Sequence, residues 1–213
     1  MREVAVAAIL VAVVVILGAL HPVRRAPVAT DALGPANGEV VADYLARAAG
    51  GLIGGTDATD TDPRWALVSF TDPVTIDAVA ALPGGPRVSQ VLLRVPLDRV
   101  QTPLVAVAVP DNQEALRRAP AVAAGRLQAT APGGDRAARI ASVSADRLLA
   151  GCACVVGVVV RAVPDQLREI AAGPLVRAVE ALPRDATAGR VSVTPLLPEH
   201  VDVVAPGPDD GEP

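Results

Sequence analysis

Apolar and polar residues alternate along this chain with periods that change sharply. Val4 to Leu20, VAVAAILVAVVVILGAL, holds no charge and no strong helix breaker over seventeen residues. At about 1.5 Å of rise per residue a helix of that length reaches roughly 25 Å, at the short end of what crosses a hydrocarbon core of about 30 Å. Residues 1–20 are therefore predicted to be an N-terminal transmembrane anchor. Residues 21–38 are rich in Pro, Ala and Gly without periodicity, which predicts an extended linker with no fixed structure. With Asn37 as cap, Glu39 to Ala49 then sets Val40, Val41, Tyr44, Leu45 and Ala48 on one face of a short helix, which Gly50-Gly51 should stop.

From Trp65 the pattern is that of strands. WALVSF predicts a strand, Asp72-Pro73 the start of a short helix to Leu82, and RVSQVLLRVP a second strand, together a βαβ unit over 65–96. Thr102 to Val109 predicts a further strand. Residues 111–150 read as a helical insertion, with Pro120 interrupting its first helix and Ala131-Pro132-Gly133-Gly134 closing it. A second βαβ unit over 154–182 echoes the first: CVVGVVVRA, a Pro164-Asp165 helix start, a Gly173-Pro174 break, and LVRAVEALP. Two linked βαβ halves predict an α+β ferredoxin-like sandwich, with helices on one face of an antiparallel sheet, over residues 39–204. RVSVTPLLPEHVDVV adds an edge strand in this reading, since Pro195 and Pro198 suit an edge, and APGPDDGEP (205–213) reads as a disordered tail.

The segment VVVRAVPDQLREIAAGPLVRAV resembles the final βαβ of subtilisin-type propeptides and related protease-inhibitor domains. Gly173, Pro174, Leu175, Val176, Arg177, Ala178, Val179 and Glu180 stand where that family ends in a Gly, Val, small, Val, acid pattern. The likeness covers about 25 residues; it implies the sandwich and, faintly, inhibition. In overall plan the chain resembles the uncharacterised single-anchor membrane proteins of actinobacteria, a likeness that implies a bacterial membrane setting and no activity.

Composition narrows the partners. All 19 basic residues are Arg, and the only aromatics are Tyr44, Trp65 and Phe70, so the core must be built from Val, Leu, Ile and Ala. Beyond Arg25 there remain 16 Arg against 22 acids, a net charge of −6, with the Arg residues dispersed. Phosphate backbones require clustered positive charge, so nucleic acid is excluded as a partner.

The small residues a signal peptidase needs are missing: cleavage after Ala19, Ala26 or Ala29 would place Leu17, Arg24 or Pro27 at −3. Retention as an anchor is expected. Arg24 and Arg25 outweigh Arg2 in the positive-inside count, which taken alone would keep the C-terminal part in the cytoplasm. The free amino terminus and the stalk-like spacer favour the opposite, an exported domain on a single-pass plasma-membrane protein.

Candidate chemistry is sparse. Cys152 and Cys154, two apart, would share one face of a strand, and three readings are open for them: buried structural thiols, a disulfide, or a metal or redox pair. A zinc site needs about four ligands, and the chain has no other Cys and only two His, His21 beside the apolar run and His200 in the tail. Leu149-Ala150-Gly151-Cys152 matches a lipobox in letters, yet lies over 130 residues past the apolar run that a lipobox must follow. Asp57, Asp60 and Asp62 lack the spacing and the closing Glu of a Ca²⁺ loop and read as a solvated loop; Asp209, Asp210 and Glu212 read as a charged tail. Ser69, Ser89, Ser142, Ser144 and Ser192 sit in no G-x-S-x-G elbow, there is no Lys to act as base, and both His fall in segments expected to lack order. No catalytic, metal or cofactor site is therefore predicted. The expected role is a membrane-anchored, non-enzymatic domain that binds a protein partner at the cell envelope; the alternative is a thiol redox or sensor protein using Cys152 and Cys154.

Overall fold

The β-branched runs WALVSF, RVSQVLL, VVGVVVRA and VRAVEA form four neighbouring strands of a mixed α+β structure. The computed structural model of the chain describes residues 31–53, 61–130, 134–184, 186 and 191–213. In chain order the elements are β1 (Asp31–Leu33), α1 (Val41–Ile53), β2 (Arg64–Val74), α2 (Ile76–Ala80), β3 (Arg87–Leu93), β4 (Val105–Ala108), α3 (Gln113–Thr130), α4 (Asp135–Leu149), β5 (Val155–Ala162), α5 (Pro164–Ala171), β6 (Val176–Ala181) and β7 (Val191–Val193). The predicted anchor Val4 to Leu20 lies outside the described residues, as do Asp57 and Asp60. Among the described residues no helix is long and apolar enough to cross a membrane.

Five strands run in the order β4-β3-β5-β2-β6, every neighbouring pair antiparallel. β5 is central and buried on both faces, which is why its sequence is a nearly unbroken apolar run rather than an alternation. Gly157 lies in it because a Cβ there would stand 2.9 Å from the Val68 carbonyl oxygen and 3.3 Å from Pro195 Cβ. On one face Ala66, Val68, Phe70, Val91, Val158 and Val160 pack beneath Leu116, Ala123, Leu127, Ala145, Leu148, Leu167 and Ile170 of the helices.

The opposite face departs from expectation: it is also covered. Leu33, Leu67, Leu92, Val156 and Val159 form one small cluster there, and Val41, Tyr44, Ala48, Ala178 and Leu196 another, so that α1 and a β1–β7 ribbon close this side. Residues 31–38, predicted as linker, thus belong to the fold, because Leu33 is buried and β1 pairs in parallel with β7. RVSVTPLLPEHVDVV, expected to add an edge strand, holds among its described residues one strand, Val191–Val193, which lies in that separate two-stranded sheet rather than at the edge of the main one.

Other expectations fail locally. Asp72-Pro73 lies at the end of β2, and α2 begins at Ile76, where the Thr75 hydroxyl accepts from the Ala78 amide at 3.3 Å; the Thr cap outcompetes the Pro as start signal. α3 runs unbroken through Pro120, whose missing N–H and ring clash cost about 3 kcal/mol, because Leu116, Ala119, Ala123, Ala124 and Leu127 bury one continuous face around it. α1 is not capped by Asn37: the Val41 amide donates to the Asp202 carbonyl at 2.9 Å, and the helix continues through Gly50-Gly51 to Ile53. The tail 205–213 is ordered as well. Asp209 accepts from the Gln101 amide at 3.0 Å and pairs with Arg136 at 3.1 Å, Asp210 pairs with Arg99, and the Gly211 amide donates to the Arg99 carbonyl at 2.8 Å.

Candidate functional site

Among the described residues, three places stand out for their polar chemistry. The first is the end of α4. Gly151 takes a φ of +77°, its amide donates to the Leu148 carbonyl at 3.2 Å, and the Cys152 amide donates to the Arg147 carbonyl at 3.2 Å. These two bonds and the left-handed glycine make a Schellman cap, which is the physical reason for the glycine in the Leu-Ala-Gly-Cys letters at this point. Cys152 and Cys154 follow in the connection to β5 rather than on the strand, with their sulfurs bonded to each other and their Cα atoms 5.4 Å apart. Cys154 is buried, and its carbonyl accepts from the Arg94 amide at 2.8 Å; Cys152 is half-buried. Of the three readings open for the pair, the disulfide is the one present.

The second place is a groove of about 780 Å³ between the loop after β3 and the C-terminal segment, lined by Arg94, Leu97, Arg99, Val201, Val203 and Pro206 among others. Arg94 is one of its lining residues. Its Nη1 pairs with Glu199, its Nε donates to the Thr102 carbonyl at 3.2 Å, and burial pushes its pKa down. Thr102 in turn donates to the Val95 carbonyl at 2.6 Å, which fixes the loop. Behind the groove wall the Arg177 guanidinium donates to the carbonyls of Leu197, Pro198 and His200, so one side chain on β6 holds the whole 197–200 turn. His200, expected in a disordered stretch, is buried with its Nδ1 accepting from the Leu197 amide at 3.3 Å. Burial, then the charges of Arg94 and Arg177, push its pKa below the ordinary 6.5, which suits a ring that accepts rather than donates at Nδ1.

The third place lies beneath α1. The Glu180 carboxylate on β6 accepts from the Gly34 amide at 2.5 Å and pairs with Arg47, whose Nη2 also reaches Glu39 at 3.2 Å. Tyr44 is fully buried beside them, and burial followed by the Glu180 charge pushes its phenol up. A carboxylate held by a backbone amide and a guanidinium that also bridges to Glu39 is a docking device, stitching β1 and α1 onto the sheet.

The serines do not assemble with a base. Ser69 is buried with its Oγ accepting from the Leu196 amide at 3.2 Å, Ser89 donates to the Val159 carbonyl at 3.0 Å, Ser144 is buried in α4, and Ser142 and Ser192 are exposed. Asp62 is exposed and pairs with Arg184 at 3.3 Å. Among the described residues no group of three or more His, Cys, Asp or Glu is placed to hold a metal ion. The groove residues Arg94 and Glu199 carry no signal of their own in the sequence, and Arg177 enters there only through the propeptide-like pattern; the one available pointer is the Pro-rich rhythm of 195–208, which marks extended chain lying against something. No protein-family model, curated protein or solved structure matches the chain.

Proposed function

We propose that the chain is a membrane-anchored, non-enzymatic domain that receives an extended segment of a partner protein at the cell envelope. The groove between the loop after β3 and residues 198–208 carries this reading. Its rim shows Val201 71% and Val203 44% exposed, and Val203 pairs through a β-bridge with Val40, itself 44% exposed. Exposed Val201 and Val203 line the groove beside charges that are already paired, Arg94 with Glu199 and Arg99 with Asp210, so a partner can cover this apolar surface without taking an unpaired charge out of water at those two pairs. The Cys152–Cys154 disulfide supports an exported domain on Val4 to Leu20, since such bonds persist in oxidising compartments. The order β3-β5-β2-β6 with all pairs antiparallel supports the finer, ferredoxin-like reading of the two βαβ units, with β4 added at one edge.

Two measurements test the proposal. A photo-crosslinking residue at Val201 in intact cells is expected to give a discrete heavier adduct, and the same residue at exposed Val122 on α3 is expected to give none. Absence of the Val201 adduct, or equal adducts from both positions, rejects the groove as the contact. A reporter active only in the cytoplasm, fused after Pro213, is expected to stay silent; a signal overturns the exported placement. A second reading, thiol redox or sensing, is favoured by half-buried Cys152 being bonded across one residue to Cys154. Thiol labelling in intact cells with mass analysis separates the two, since a redox role requires a reduced fraction that changes with conditions.

A further inference from the structure

A different part of the sheet, away from the groove, gathers two arginines around the single tryptophan. On the face opposite the helices, register places Trp65 of β2 opposite Arg161 of β5, and Arg161 opposite Arg87 of β3, so the three side chains form one row across three strands. The Arg161 guanidinium carbon lies 5.6 Å and the Arg87 one 5.9 Å from the Trp65 ring centroid. Two like charges directly opposite on neighbouring strands are unfavourable, and the aromatic face offsets that only in part. Arg161 is exposed and has no ion-pair partner among the described residues; Arg87, 41% exposed, reaches only Asp111, at 3.8 Å. Counting Asp111, the row keeps a net charge of +1.

Directly beside the row is a cavity of about 230 Å³ with Trp65 as one wall, Leu33, Val159, Val191 and Val193 as apolar lining, and Gln90 at its edge. That is smaller than the roughly 300–1,000 Å³ of pockets for drug-sized molecules. Trp65 joins the two features, since both guanidinium groups lie over its ring and it also walls the cavity, and the combination matches a molecule with one charged and one apolar half. We propose that this site binds a small monocarboxylate with a short apolar body, its carboxylate on Arg161 and Arg87 and its body against Trp65 and Val159. Planar guanidinium groups suit a carboxylate in this way, and a monoanion neutralises the residual charge.

Trp65 is the only tryptophan in the chain, so its emission reports the site without a label. The full chain reconstituted in phosphatidylcholine vesicles is titrated at constant ionic strength with hexanoate, hexanol and acetate. Hexanoate is expected to shift Trp65 emission saturably, with hexanol and acetate each about tenfold weaker, as expected when a charged hydrogen bond or the apolar contact is lost. Arg161→Gln, an exposed position, is expected to weaken hexanoate about tenfold with an unchanged melting temperature, and Arg87→Gln to weaken it as well. The proposal is overturned by no saturable response to hexanoate, by hexanol binding as tightly as hexanoate, or by Arg161→Gln binding hexanoate as the parent does.

Discussion

The two faces of the sheet are held by different physics. Under α2 to α5 the contact is almost wholly apolar: Val, Leu, Ile and Ala from strands and helices interdigitate, with buried Phe70 as the aromatic centre. On the opposite face the apolar clusters are small, and polar side chains do the joining: Glu180 to Gly34 and Arg47, Ser69 to Leu196, Arg177 to the 197–200 turn, and Arg94 to Glu199. Apolar contact is non-directional and tolerates imprecision, whereas each polar link works only in one geometry. The helix-covered face therefore sets global stability. The other decides how the segments 31–53 and 191–213 seat, and both the groove and the Trp65 row depend on that seating.

The sharpest way to break the second face without touching the first is at Gly34. It has φ +104°, and a Cβ there would fall 1.6 Å from the Thr194 carbonyl oxygen, so Gly34→Ala must displace the β1–β7 ribbon. A loss of about 3–4 kcal/mol is expected from strain and lost ribbon contacts, read by chemical denaturation, together with amide exchange newly fast in 191–194. On the first face Leu167→Ala, at a site 1% exposed on the sheet-facing side of α5, is expected to cost about 3 kcal/mol, with amide exchange rising across the whole sheet. If both variants loosen the same amides, the division between the faces is wrong.

Glu180→Gln should cost less, about 1–2 kcal/mol, since Arg47 is half-exposed and keeps Glu39 as a partner. Exchange protection should fall at Gly34 and along α1 rather than in β5. The smallest expected effect is a pH dependence. The folded-state pKa of His200 is depressed, so the unfolded chain takes up a proton that the folded chain resists; stability is full above the unfolded value near 6.5 and falls as pH drops below it. The parent should melt at a lower temperature at pH 5 than at pH 7.5, and His200→Asn, which keeps an acceptor for the Leu197 amide, should lose that dependence. Asp209 and Asp210, with their carboxyls held below 3.8 by Gln101 and Arg136 and by Arg99, respond only at more acid pH and leave this window clear.

How far these features could be read ahead follows from the same contrast. The four principal strands, α5 and the two helices between the halves were legible because an apolar period is local and states its own face. The start of α2 was misplaced because Asp72-Pro73 and Thr75 are both start signals, and only the pairing of Val74 with Val155 keeps the chain in β2 past the Pro. The lipobox letters were explained only by the left-handed turn at Gly151. The ordering of 31–38 and 205–213 had no local signal, since short Pro- and Gly-rich pieces read alike whether solvated or pressed onto a sheet. The groove and the Arg87–Trp65–Arg161 row were equally hidden, because each joins residues from distant parts of the chain.

The amino-acid sequence alone carries the α+β class, the strand-helix-strand rhythm of both units, and an uncharged apolar run of seventeen residues near the N-terminus. These depend on composition and on neighbours a few residues apart. Only the tertiary structure decided what closes the second face, that Cys152 and Cys154 bond to each other, that His200 is buried, and which side chains share a groove or a row. Each of those is a meeting of segments far apart in the chain, fixed by register and by directional hydrogen bonds that no local pattern encodes.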